Sequence, residues 1–248
     1  MNISIVTPIY NRSQWLPLMI INLRNLDYPK DKLEWVILDS KDGDSNIKLF
    51  ENYHQIKEVE EIIGFPIKYT YLSHKMSIGQ KRNKLTKLAT HKICANMDSD
   101  DYFFPSWLSH SMEVMQSDKR CSLVGTKGML FVYPHDGFKI TGIECQDKRM
   151  IHESGMLYTK KHHRSMGGFM KSSQGEGVGM IDFNENKCLC TDPEKVIVCI
   201  CHDNNTVPKD RFKDKEIGAD PMGGPVADAI RKILGVKDFN LINYNFKN

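Results

Sequence analysis

A chain of 248 residues, with 34 basic and 31 acidic side chains and a net charge of +3, can bury a substantial core. That excess is too small to argue for a nucleic-acid or membrane surface as partner. No 18-residue apolar stretch and no apolar opening run occurs, so neither a transmembrane nor a secretory signal is read and cytoplasmic residence is the expectation. The seven cysteines are odd in number and scattered, which suggests reduced thiols and not a disulfide framework.

Residues 2–8 are a β-branched run that predicts a buried first strand, ended by Pro8 because proline cannot donate to a ladder. After the loop Thr7-Pro8-Ile9-Tyr10-Asn11-Arg12, Ser13 can cap a helix with Leu16, Met19, Ile20 and Leu23 on one face and Pro17 in its first turn. Residues 33–39 predict a second strand that runs into Asp39, Ser40, Asp42 and Asp44. Residues 46–63 predict a helix closed by Gly64 and Pro66. Ile67, Tyr69 and Tyr71 alternate as a third strand. Ser77 then caps a helix with Ile78, Leu85, Leu88 and Ala89 available for the core. Lys81, Arg82 and Lys84 crowd its start, where the helix dipole favours acids, so they cost stability unless an anion sits there.

A fourth strand, alternating Ile93, Ala95 and Met97, runs into Asp98, Ser99, Asp100 and Asp101. No basic residue follows Lys92 in this segment, and partial burial of these carboxylates requires a cation nearby. Oxygen ligands at a strand end suit Mg2+ or Mn2+, particularly an ion that also holds a diphosphate. On these residues alone a solvated acidic turn before a helix at Ser106 is the alternative. The order β-α-β-α-β-α-β predicts a parallel sheet with helices on both faces and ligands off the carboxyl ends of its strands. Residues 7–11, 39–44 and 98–101 are polar clusters at three such ends. No G-x-G-x-x-G or G-x-x-x-x-G-K-[ST] pattern follows any strand, which removes the usual dinucleotide and P-loop readings.

Beyond a helix over residues 106–116, short strands are expected at 121–125, 128–133, 138–143 and 154–158, antiparallel or mixed, completing the same sheet. A loop with Gly167-Gly168-Phe169 leads to Gln174-Gly175-Glu176-Gly177 and to a helix after Asp182 that Glu185 and Lys187 finish. Strands at 188–190 and 196–201 precede His202-Asp203-Asn204-Asn205-Thr206, and a last helix is expected at 225–234. Flanking glycines let Glu176 approach a ligand closely, which favours it over Asp182 as a proton-accepting carboxylate. Cys188, Cys190, Cys199 and Cys201 with His202 are a zinc alternative, disfavoured by their one-residue spacing on strands.

With these motifs assembled, the chain resembles the family 2 glycosyltransferases, nucleotide-sugar enzymes of the GT-A fold. The resemblance rests on residues 7–12, on Val36-Ile37-Leu38-Asp39, on the basic helix start at residues 79–83 and, most specifically, on Met97-Asp98-Ser99-Asp100-Asp101, similar to the family's D-x-D signature. It implies an α/β, Rossmann-like three-layer sandwich with a mixed, mostly parallel sheet. Residues 1–110 would form a nucleotide-sugar-binding half, 111–215 an acceptor and catalytic-base half, and 216–248 a helical extension. It further implies that Asp39 accepts from a uracil-type base, Pro8 and Tyr10 line base and ribose, Asp98 reaches the ribose, and Lys81 and Arg82 face the diphosphate. Asp100 and His202 would hold Mn2+ or Mg2+, and Glu176 would be the general base of an inverting transfer from a UDP-sugar to an acceptor hydroxyl on a glycan, polysaccharide, protein or lipid. Where the family commonly has two consecutive acids, this chain has Glu176-Gly177. A sugar nucleotidyltransferase is the alternative enzyme, although it usually carries a glycine-rich loop after its first strand. A non-catalytic nucleotide-sugar or glycan-binding domain is the alternative outside enzymes.

Overall fold

The computed structural model describes residues 1–41, 47–136, 139–144, 151–182 and 187–213. The expectations at Asp42, Asp44 and Glu185, and those for the 225–234 helix and the 216–248 extension, lie outside the described residues. The first half alternates as its periodicities dictate: β1 (Ile3–Ile9), α1 (Leu16–Asn25), β2 (Leu33–Ser40), α2 (Tyr53–Ile63), β3 (Ile67–Leu72), α3 (Ile78–Leu88) and β4 (Ile93–Asn96). There follow β5 (Asp101–Phe103), α4 (Trp107–Ser117), β6 (Leu123–Gly125), β7 (Gly128–Tyr133), β8 (Lys139–Glu144), β9 (Leu157–Thr159), α5 (Lys160–Ser165), β10 (Cys188–Cys190) and β11 (Ile197–Ile200).

Among the described residues the main sheet has the order β10-β6-β9-β4-β1-β2-β3. It is parallel except at β9, which runs antiparallel to both β4 and β6. Alternation along its central strands buries both faces. Ile3, Ile5, Trp35 and Ile37 pack with α1, α2 and α4 through Met19, Leu23, Ile63 and Trp107. Val6, Val36 and Leu38 pack with Leu85 and Ala89 at α3, and with Tyr158 and Phe169. The result is the expected three-layer α/β sandwich.

Several local expectations are corrected. Pro8 does not end β1: it stays in register with Leu38 of β2, while pairing with β4 stops at Val6 opposite Asn96. The Met97 N–H donates to the Val6 carbonyl, so Pro8 turns its missing donor toward the side that β4 has left. Ser13 makes no side-chain cap; a 3-10 turn at Ser13–Trp15 feeds α1 directly, with the proline in its first turn. Helix α2 starts at Tyr53, capped by Asn52, because Leu49 and Phe50 are used otherwise. The Leu49 N–H donates to Asp39, and the Phe50 ring lies edge-on to Tyr69 at 5.3 Å.

The second half does not simply complete one sheet. β6, β9 and β10 join the main sheet, whereas β5, β11, β7 and β8 form a second one in that order. The chain switches sheets between β4 and β5, so the acidic segment at residues 97–100 is the crossover between them.

Candidate active site

β4 ends at Asn96 and β5 begins at Asp101, and the turn between them places the acids beside the first turns of α3. Ser77 caps that helix in a full capping box with Gln80, as its sequence predicts. Of the basic side chains at its start, Arg82 finds anions from elsewhere in the chain. Arg82, 1% exposed, donates from Nη2 to Asp98 Oδ1 at 2.8 Å and from Nε to Glu176 Oε1 at 3.0 Å. Burial alone would depress the guanidinium's pKa, but the charges of Asp98 and Glu176 outweigh it and raise it. Lys81 is buried too and donates from Nζ to the Ile9 carbonyl. Burial lowers its pKa to about 8, against the pull of Asp39.

Asp100 accepts at Oδ2 from His202 Nε2 at 3.0 Å and lies 3.7 Å from Arg12 Nε. Burial pushes its pKa up, but the His202 hydrogen bond and the Arg12 charge prevail and hold it below the usual carboxylate value. His202 Nδ1 accepts from the Asn204 N–H at 3.2 Å, which puts the imidazole proton of the neutral ring on Nε2, facing Asp100. Its ring packs on Trp15 with centroids 4.8 Å apart. Next in the chain, Asp101 accepts from Ser154 Oγ at 3.1 Å, and its pKa is pushed up to about 7 by burial and by the charges of Asp100 and Asp98.

Two connected depressions share Asp98 and Asp100. One, of about 360 Å³, is lined by Pro8, Tyr10, Arg12, Lys75 and Lys81. The Nζ atoms of Lys75 and Lys81 lie 4.8 and 5.4 Å from the Tyr10 ring centroid. The other, of about 140 Å³, is walled by Arg82, Asp101, Glu153, Glu176 and Lys209. Asp39, at the end of β2, is buried and accepts at Oδ2 from the Leu49 N–H at 2.9 Å and Tyr69 Oη at 2.7 Å. Its Oδ1 is buried with no partner among the described residues, leaving one acceptor for a ligand donor.

The loop carrying Glu176 is tied to α3 by close backbone approach. The Gly79 N–H donates to the Ser172 carbonyl at 2.8 Å, and a Cβ at Gly79 would stand 1.8 Å from the Met170 carbonyl oxygen, so only glycine fits. Asn83 brackets Phe169, donating to its carbonyl and accepting from its N–H, both at 2.8 Å.

The sequence-derived residues therefore divide. Arg82, Asp98, Asp100, Glu176 and His202 meet around the shared wall, with Pro8, Tyr10 and Lys81 adjoining and Asp39 behind. Asp182 lines neither depression and is paired with Lys187 Nζ at 2.8 Å. The cysteine alternative is not brought together: Cys188 and Cys190 lie on β10 of the main sheet, Cys199 on β11 of the second. Arg12, Glu153, Ser154 and Lys209 were given no role from sequence. Arg12 had a signal, its place in the first polar loop; Glu153 had none.

Among the described residues no three His, Cys, Asp or Glu side chains form a metal cage. Asp100 and His202 adjoin, with Asp98 on the same wall, and a cation there would take the place of the Nε2–H···Oδ2 hydrogen bond and require the imidazole proton on Nδ1. In that tautomer Asp100 Oδ2 and His202 Nε2 would be an oxygen and a nitrogen of the kind that holds a divalent ion. No described helix is long and apolar enough to cross a membrane.

An α/β sandwich with acids at the crossover of two sheets, basic residues at a helix start and a lined cleft at the strand ends is the arrangement of the GT-A fold. A profile of the glycosyl transferase family 2 matches residues 4–170, and the chain belongs to that family. The poly(ribitol-phosphate) beta-glucosyltransferase of Bacillus spizizenii is 28% identical over 161 residues, 62% of this chain and 24% of that protein. The poly(ribitol-phosphate) beta-N-acetylglucosaminyltransferase TarS of Staphylococcus aureus is 26% identical over 107 residues, 41% of this chain and 17% of that protein. The chain thus spans a quarter or less of the curated relatives' length. Among solved structures, TarS residues 1–349 with UDP-GlcNAc superimposes with a TM-score of 0.61 at 18% identity, covering 83% of this chain and 60% of that one. The mannosyltransferase PcManGT of Pyrobaculum calidifontis, in complex with GDP-Man and Mn2+, gives 0.60 at 17% identity, covering 85% and 58%.

Proposed function

We propose that this chain is a metal-dependent, inverting glycosyltransferase that moves a sugar from a UDP-sugar to an acceptor hydroxyl. The observation that carries the reading is the shared wall of Asp98 and Asp100, which joins a cleft fitted for a nucleotide to a smaller one walled by carboxylates. Asp100 and His202 would hold the divalent ion, which would supply positive charge for the departing diphosphate. Pro8 and Tyr10 take the base and ribose, Asp98 the ribose hydroxyls, and Lys81 and Lys75 supply positive charge beside them. Arg82 serves the nucleotide indirectly, by fixing Asp98 for the ribose. The proton acceptor is a carboxylate of the smaller depression, the role that the sequence suggests for Glu176. Asp182, paired with Lys187 and lining neither depression, takes no part in the transfer.

Relatives in both comparisons act on polymers or hold nucleotide sugars by name, which supports a glycan or polymer acceptor. The base is proposed as uracil because the Oδ1 of buried Asp39, without a partner among the described residues, suits a ring N–H donor. The test is calorimetry with UDP and GDP in Mn2+. UDP is expected to bind the native protein more tightly, and Asp39→Asn to weaken UDP by about 1 to 3 kcal/mol through a lost charge-assisted hydrogen bond. Tighter binding of GDP would reject the uracil assignment.

A further inference from the structure

Gly177 sits immediately after Glu176, in a short 3-10 turn, and its backbone is not in the left-handed region that would demand glycine. What excludes a side chain there is Glu153. A Cβ at Gly177 would lie 2.5 Å from Glu153 Cγ and 3.0 Å from Oε1. The Gly177 N–H donates to that same oxygen at 2.9 Å. A carboxylate from a separate loop therefore fills the space beside Glu176 that a side chain at Gly177 would have filled. Glu176 is already committed, its Oε1 donated to by the buried Arg82 at 3.0 Å. Among the described residues Glu153 makes no such ion-pair contact; its carboxylate is held by backbone N–H groups, that of Gly177 and its own. Both carboxylates line the depression that opens at Asp98 and Asp100.

Resting on the glycosyl-transfer reading, we infer that Glu153 is the general base of this enzyme and that Glu176 is a positioning residue which holds Arg82, and through it Asp98. Glu153 takes the proton of the acceptor hydroxyl as that oxygen bonds to the anomeric carbon. The bond from that carbon to the diphosphate oxygen breaks, and its electron pair leaves with the diphosphate. Burial and the neighbouring Glu176 charge raise the Glu153 pKa, with the Gly177 N–H and Arg82 acting against them. A carboxyl raised in this way is matched to proton abstraction nearer neutral pH.

The test compares variants by UDP release from UDP-glucose and UDP-N-acetylglucosamine in Mn2+, with UDP calorimetry as the binding control. Glu153→Gln keeps the shape and is expected to lower UDP release by about 10^2 to 10^4-fold, with UDP binding unchanged. The double variant Glu153→Ala/Gly177→Asp frees the space at residue 177 and puts a carboxylate there; it is expected to exceed Glu153→Ala by at least about tenfold, a part of what a placed base contributes. Native release by Glu153→Gln in an active native background would overturn the inference alone. Should Glu153→Gln lose UDP binding as well, the double variant decides: recovery supports the role, and none overturns it. A native protein that releases UDP from no sugar nucleotide overturns both the inference and the transfer reading.

Discussion

Along β1 to β4, the polar groups of the site stand where the repeating strand-helix order puts them, at strand ends and at a helix start. Asp39 ends β2, Asp98 follows β4, and Lys81 and Arg82 open the helix between them. The opposite wall is assembled differently. Glu176 reaches Arg82 across 94 residues from a 3-10 turn, and His202, just past β11 of the second sheet, reaches Asp100 across 102. One half of the cleft is set by repeating local geometry, the other by individual long-range contacts. The second wall therefore depends on a few side chains in a way that the first does not.

Removing the tie between the halves tests that difference most strongly. Arg82→Met leaves Glu176 buried without its counter-ion and Asp98 without its partner. The expected loss is about 3 to 5 kcal/mol in denaturant unfolding, the scale for breaking a buried ion pair from one side. A loss near zero would mean that sheet pairing alone positions the Glu176 loop.

A smaller effect is expected wholly inside the first half, where Glu34 on β2 accepts from Ser4 Oγ, the Thr90 N–H and Thr90 Oγ1, with Lys68 Nζ 2.9 Å away. Burial favours its neutral form, but these donors win and lower its pKa to about 2 from an ordinary 4.5. A depressed folded-state value stabilises the fold above the unfolded value, and the contribution fades as pH falls from about 5 toward 2. Native stability should therefore drop by about 2 kcal/mol through that window on account of this group. In Glu34→Gln that part of the acid slope should be missing; an unchanged slope would assign it to other carboxylates.

The same contrast explains what the sequence made legible. Strands and helices with a clear period, β1 through α3, emerge from residue pattern, and so do the polar strand ends that face the cleft. Ser77 is recognisable as a cap because its partner Gln80 is three residues away. Helix α2 was placed too early because nothing local announces that the Leu49 N–H is claimed by Asp39. The second sheet was hidden because β5 is three residues long and its partner β11 lies almost a hundred residues on. Glu153 was hidden for the same reason: its meaning lies in the missing side chain of Gly177, and no spacing rule links the two.

The central claim is that Asp100 anchors a divalent ion on which nucleotide binding depends. Its most direct test is calorimetric titration of UDP into native protein and Asp100→Ala, each with Mn2+ and again with a chelator. The account predicts that native protein binds UDP in Mn2+ and loses it in chelator, while Asp100→Ala unfolds as cooperatively as native yet shows no Mn2+-dependent binding. Equal UDP binding by both proteins in the presence of chelator would contradict it.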